Sequence, residues 1–159
     1  MHKSVYDYQL TDIHGNVYPL SNLKGKKILL VNTASACGLT PQYAQLEELH
    51  KHYNSKVVIV GIPCNDFGAQ EPGTEKEIET FCSTRYGVSF PLMGKVKILG
   101  ADAHPLYEFL TQKELNGYSD SEVKWNFQKY LIDEGGQLIH VFSPMVEPLS
   151  DELIKAIDK

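Results

Sequence analysis

The sequence predicts an α/β sandwich, a central mixed β-sheet flanked by helices and preceded by an N-terminal β-hairpin. Three observations carry that prediction. The runs "KKILLVNT" and "KVVIVGIP" are short, apolar and rich in branched residues, as strands buried on both faces are. Segments with helical spacing alternate with them, the pattern of parallel strands joined by crossovers. Near the C-terminus "KYLIDEGGQLIHVF" reads instead as an antiparallel hairpin turned by "EGG".

Taken in order, "VYDYQL" and "NVYPL" form two short strands around the turn "DIHGN". "KKILLVNT" is the first buried strand. A helix runs from about Pro41 to Tyr53, with Tyr43, Leu46, Leu49 and Tyr53 at helical spacing and Pro41 suited to a first turn. "KVVIVGIP" is the second buried strand, followed by the loop "CNDFGAQEPG". Thr74 to Glu77, "TEKE", make a capping box that starts a helix ending near Arg85. "HPLYEFLTQ" is a third helix from about Pro105, and "SDELIKAI" a last one capped by Ser150. This order is the plan of a thioredoxin-like fold, as one domain over residues 1–159.

Hydrophobic residues make up 42% and charged residues 22% of the 159, the profile of an ordinary globular chain. The net charge is −5 and no basic block stands out, which argues against a nucleic-acid partner. The longest apolar runs are too short for an integral membrane segment. "MHKSVYDYQL" lacks the apolar core of a signal peptide, so a cytoplasmic location is expected. Cys37, Cys64 and Cys82 are odd in number and widely spaced, unlike a secretory disulfide framework. With no C-x-x-C or H-x-x-x-H pair, neither a metal nor a cofactor is expected.

The stretch "VNTASACGLTPQY" concentrates the chemistry. "CGLT" has the spacing of a C-x-x-C redox motif with Thr40 in place of the second cysteine. Cys37 falls after a buried strand and at the start of a helix, where unpaired N–H groups and the helix dipole favour the nucleophilic thiolate. Gly38 leaves the backbone free to approach the sulfur, and Ala34, Ser35 and Ala36 leave room for a substrate. Position alone leaves an inert, buried cysteine equally open.

Three blocks decide between these readings. "NTASACGLTPQY", "IPCNDFGAQEPGT" and "KWNFQKYLID" resemble, in order and spacing, the peroxidatic segment, the Phe-Pro-Cys-Asn-Gln-Phe-Gly-x-Gln-Glu-Pro-Gly loop and the Trp-Asn-Phe segment of the glutathione peroxidase family. The resemblance covers essentially the whole chain. It implies a catalytic tetrad of Cys37, Gln70, Trp125 and Asn126. The last three carry N–H donors that would favour thiolate over thiol and position a peroxide. Taken alone, Gln70 could brace its loop, Trp125 could fill core and Asn126 could serve a turn. A thioredoxin would carry a cis-proline before "KYLID", where this chain has "WNF". Asp66 stands where the family usually has Gln, adding negative charge near the loop. Cysteine in place of selenocysteine implies a slower or differently recycled enzyme.

Attack on a peroxide leaves a sulfenic acid, which condenses with a second thiol. Cys64 follows Pro63 at the end of a buried strand and reads as structural. Cys82 matches the resolving cysteine of the thioredoxin-dependent, cysteine-containing branch of the family. It lies four residues after Ile78 and beside Phe81, so it can fall on the apolar face of its helix and then act only if that helix partly unwinds. Glutathione carries two carboxylates that suit bidentate arginine, and Arg85 is the single arginine. This favours thioredoxin over glutathione as reductant. The short connection before "KWNF" is unlike that of tetrameric members and implies a monomer. By analogy, an open site would admit lipid hydroperoxides as well as hydrogen peroxide. A peroxide sensor or relay that passes oxidation to a partner protein uses the same residues. A non-catalytic binding module is weakened by the presence of all three blocks.

Overall fold

The computed structural model describes residues 3–159. β1 (Gln9–Thr11) and β2 (Val17–Pro19) pair antiparallel around the expected turn. Asp12 closes that turn, its Oδ1 accepting the N–H groups of His14 and Asn16 at 2.9 Å each. The first strand is shorter than the sequence implies. Val5–Asp7 forms a 3-10 turn instead, capped by the Ser4 hydroxyl, while Ser4 N–H donates to the Asp7 carboxylate. These local side-chain bonds compete with strand pairing and win.

The main sheet has four strands, β3 (Lys27–Thr33), β4 (Val57–Pro63), β5 (Lys129–Ile132) and β6 (Leu138–Phe142), in the order β4-β3-β5-β6. β3 and β4 are parallel, with Leu30 opposite Val60, and the other two pairings are antiparallel. The helices are α1 (Gln42–Tyr53), α2 (Glu75–Tyr86), α3 (Pro105–Thr111), α4 (Lys113–Asn116) and α5 (Asp151–Asp158). The Thr74 capping box and the Ser150 cap form as the sequence predicts. α4 is a single turn, too short for periodicity to reveal. The Asn116 amide holds it by donating to the carbonyls of Phe109, Leu110 and Ser119.

All seven residues of β3 are buried, because the sheet is covered on both sides. Side chains alternate along a strand. Ile28 and Leu30 therefore join one core, with Leu10 of the hairpin and Leu106 and Phe109 of α3. Leu29 and Val31 join the other, with Tyr43, Leu46 and Leu49 of α1, Ile78 of α2 and Leu153 of α5. Each such side chain contributes about 1.5–3 kcal/mol relative to exposure. The two cores also separate the three free thiols. Cys37 and Cys82 belong to the second core and Cys64 to the first, across the sheet.

Candidate active site

Cys37 lies in the turn between β3 and α1, four residues beyond the strand end and five before the helix. Thr40, which replaces the second cysteine of a C-x-x-C motif, is a brace. It is buried, its hydroxyl donates to Ala34 O at 2.8 Å, and it accepts the Cys37 N–H at 2.9 Å. The turn then winds into α1 through Thr40 N–H to Cys37 O and Gln42 N–H to Leu39 O. Leu39 N–H points at Cys37 Sγ, 3.3 Å away, a donor that complements negative charge on sulfur. The thiol is 7% exposed, between exposed Ala36 and Gly38.

Of the remaining predicted residues, Gln70 is tied directly to this turn, Trp125 lies against the loop that carries Gln70, and Asn126 follows Trp125 in the chain. Ala36 N–H donates to Gln70 O at 3.0 Å, tying the loop after β4 to the residue beside Cys37. Gly68 and Ala69 turn that loop with φ of +69° and +52°. A Cβ on Gly68 would meet the Trp125 ring at 2.8 Å and Gln70 Cγ at 3.5 Å, so both residues flank a position only glycine fits. Trp125 is 36% exposed, its ring edge-on to Phe67 at 6.0 Å, which sets aside the core-filler reading. Asn126 is fully buried, and the peptide bond between it and Phe127 is cis.

Asn32, near the end of β3, holds this last segment and went unnoticed in the sequence. Its Nδ2 donates to Asn126 Oδ1 at 3.0 Å and to Trp125 O at 3.3 Å, and its Oδ1 accepts Gln128 N–H at 3.1 Å. A polar residue directly after the apolar run 28–31, within a wholly buried strand, was the available signal. Phe127 anchors the segment from below, its ring edge-on to Tyr43 at 5.2 Å. Among the described residues, Asn126 Nδ2 and Gln70 Oε1 are buried polar atoms with no hydrogen-bond partner. Such atoms are uncommon and costly unless a ligand or water meets them.

Glu71 is a second residue the sequence reading passed over. It is buried, accepts the Ser35 hydroxyl at 3.1 Å and is held by Asn65 through its own N–H. Burial pushes its carboxyl above the ordinary range against the opposing pull of Ser35 and Lys95. Asp66 behaves differently from expectation. Its Oδ2 turns to the N–H groups of Ile98 at 2.6 Å and Leu99 at 3.0 Å, so its charge is absorbed by that backbone. Burial alone would raise its pKa, but the Leu99 and Ile98 donors outweigh it and hold the carboxyl below the usual value. A carboxylate depressed in the folded state stabilises the fold above its unfolded pKa, near 4, and that stability is lost as pH falls through the folded value. The midpoint difference between wild type and Asp66→Asn in thermal melts is expected to be full above about pH 4, to shrink as pH falls below that, and to level off only once pH has passed below the depressed folded value. A difference independent of pH would refute the assignment.

The other two thiols are buried and neutral. Burial pushes Cys64 up to about 12 and Cys82 up to about 11. Cys82 lies on the apolar face of α2, near the Tyr43 hydroxyl and Glu71. A cavity of about 680 Å³ opens against the turn that follows Cys37, lined by Gly38, Leu39, Gln42, Met145, Val146 and Glu147 among others but not by Cys37 itself. Another, of about 590 Å³, lies between the hairpin and His104, and neither cavity takes in any of the four predicted site residues.

Comparison with known proteins bears directly on this arrangement. The family model for glutathione peroxidase matches residues 5–111. The chain belongs to the glutathione peroxidase family. Its membership makes it a peroxidase. The glutathione peroxidase-like peroxiredoxin 2 of Saccharomyces cerevisiae is 43% identical over 159 residues, covering 99% of this chain and 98% of its own. The hydroperoxy fatty acid reductase of Synechocystis is 41% identical, covering 98% and 95%. The crystal structure of Trgpx in apo form superposes with a TM-score of 0.75 at 38% identity, over 100% of this chain and 98% of the other. Thioredoxin-like neighbours reach further, among them a secreted Mycobacterium tuberculosis disulfide oxidoreductase at 17% identity and a TM-score of 0.63, which shows a shared fold. The peroxidase family thus sits on the thioredoxin-like scaffold that the element order predicts.

Proposed function

We propose that this glutathione peroxidase family member reduces hydrogen peroxide and organic hydroperoxides through Cys37, with Cys82 as resolving thiol and thioredoxin as reductant. The Cys37 thiolate attacks one peroxide oxygen, an S–O bond forms as the O–O bond breaks, and the departing oxygen takes a proton to leave as water or alcohol. Cys37 becomes a sulfenic acid. The Cys82 sulfur then attacks it, a disulfide forms and water leaves. A dithiol protein restores both thiols by exchange.

The observation that carries this reading is the buried Asn126 Nδ2, without a hydrogen-bond partner, in a segment that Asn32 ties through Asn126 Oδ1 to the strand that leads to Cys37. A donor with no partner in the resting site is free to meet an oxygen that gains charge as the O–O bond breaks. Exposed Ala36 and Gly38 on either side of Cys37 suit bulky hydroperoxides as well as small ones. The one arginine, Arg85, lies over the Phe81 ring at 5.7 Å on α2, which favours a protein dithiol over glutathione. Cys82 is fully buried, so the resolving step requires the 74–85 segment to open.

The test is peroxide turnover with thioredoxin and with glutathione, in wild type and Cys82→Ser. Thioredoxin-linked turnover is expected to fall tenfold or more (roughly) in the variant, while one equivalent of peroxide still oxidises Cys37. Mass spectrometry of oxidised wild type should find a Cys37–Cys82 bridge. A Cys37–Cys64 bridge, or unchanged turnover, would overturn the proposed recycling.

A further inference from the structure

Lys129 is fully buried in β5, three residues after Asn126, and the chemistry above gives it no part. An ammonium in a core is costly unless all its protons are bonded. Here they are: Nζ donates to Gln42 Oε1 at 2.6 Å, to Val146 O at 2.5 Å and to Pro144 O at 3.1 Å. Gln42 Nε2 donates in turn to Pro144 O at 2.9 Å, closing the ring. An apolar side chain of the same length would fill the space with a smaller desolvation cost, so packing alone does not account for the residue.

What the three bonds join is informative. Gln42 is the first residue of α1, and its N–H is bonded to Leu39 O in the turn that carries Cys37. Lys129 follows Trp125, Asn126 and Phe127 with only Gln128 between. Gln42 and Val146 also line the cavity that Gly38 and Leu39 border. We propose that Lys129 is a positioning residue for peroxide attack, locking the start of α1, and so Cys37, to the segment that presents Trp125 and Asn126. Burial lowers the lysine to about 7, opposed by Glu147, so the protein holds this group in place at a cost to its charged form. The other hydrogen bonds across the site act from elsewhere: Asn32 reaches Asn126 from β3, and Ala36 reaches Gln70. Lys129 is the member of this set that reaches α1 itself.

The inference rests on Cys37 as the attacking group. The experiment uses the full chain and its single tryptophan, Trp125, as a reporter inside the site. Stopped-flow fluorescence follows the oxidation of Cys37 by hydrogen peroxide in wild type, Lys129→Met and Gln42→Ala, well below each thermal midpoint. A misplacement of about 1 Å costs up to roughly 100-fold. Folded Lys129→Met is therefore expected to oxidise about tenfold or more slowly, with a shifted Trp125 emission maximum. Reduction of its oxidised form by dithiothreitol should stay within about twofold of wild type, because that step does not use the Trp125–Asn126 segment. Gln42→Ala removes one acceptor and keeps the lysine, and is expected to slow oxidation about threefold. It decides the matter if Lys129→Met fails to fold. Wild-type oxidation rates in a folded Lys129→Met, or in Gln42→Ala if that variant alone folds, overturn the proposal. So does an equal slowing of oxidation and reduction. If wild type itself shows no Cys37 oxidation, it is the catalytic reading that falls.

Discussion

Cys37→Ser is expected to lower hydroperoxide consumption on the order of 10³-fold or more, with the fold intact. A serine hydroxyl in this turn has no adjacent base to deprotonate it, and an alcohol is a poor nucleophile toward peroxide oxygen. The substitution keeps the residue's size, and the Thr40 brace acts on the Cys37 backbone N–H, which the variant retains. The turn and α1 should therefore form as before, and circular dichroism and the thermal midpoint should match wild type. Coupled peroxide consumption with a dithiol reductant measures the effect. Full activity in Cys37→Ser would remove the central residue from the mechanism and shift attention to Cys82 or Cys64. Their burial, with thiols pushed up to about 11 and about 12, makes either a poor substitute.

Asn32→Ala should produce the largest loss of stability outside the apolar core. It leaves Asn126 Oδ1, Trp125 O and Gln128 N–H without their shared partner. An unsatisfied buried polar group costs about 1–3 kcal/mol, and water entering the space would recover part of it. A net destabilisation of about 2–4 kcal/mol is expected in denaturant unfolding. Activity should fall as well, by about 10- to 100-fold, because the Trp125–Asn126 segment loses its tie to the strand that leads to Cys37. The two readouts separate its roles. Asn32→Ala with wild-type peroxide rate and a stability change under about 0.5 kcal/mol would show that Asn32 neither supports nor positions the segment.

The strands β3 and β4, the capping box of α2, the closing hairpin and the Ser150 cap were legible because each has a local cause: an unbroken apolar run, a hydroxyl three residues before a carboxylate, a glycine turn. The N-terminal strand was overdrawn for a local reason too, since Ser4 and Asp7 bond their own backbone in preference to a neighbour. The residues Cys37, Gln70, Trp125 and Asn126 could be named because three motif blocks resemble a known family. Their spacing alone says nothing about distance, with 54 residues between Gln70 and Trp125.

The amino-acid sequence by itself determined the layer order of the scaffold and the chemistry at its disposal: a thiol after the first buried strand, amide and indole donors in two later loops, and no second sulfur at Thr40. Only the tertiary structure decided how those groups are held. Whether Thr40 is a gap or a brace, whether Asp66 charges the site or bonds the Ile98–Leu99 backbone, and which face of the sheet each cysteine occupies depend on partners far along the chain. Asn32 and Lys129 show why. A buried polar side chain takes its meaning from the acceptors and donors that surround it, and those are brought within 3 Å or so by the packing of the whole sheet rather than by any neighbouring residue.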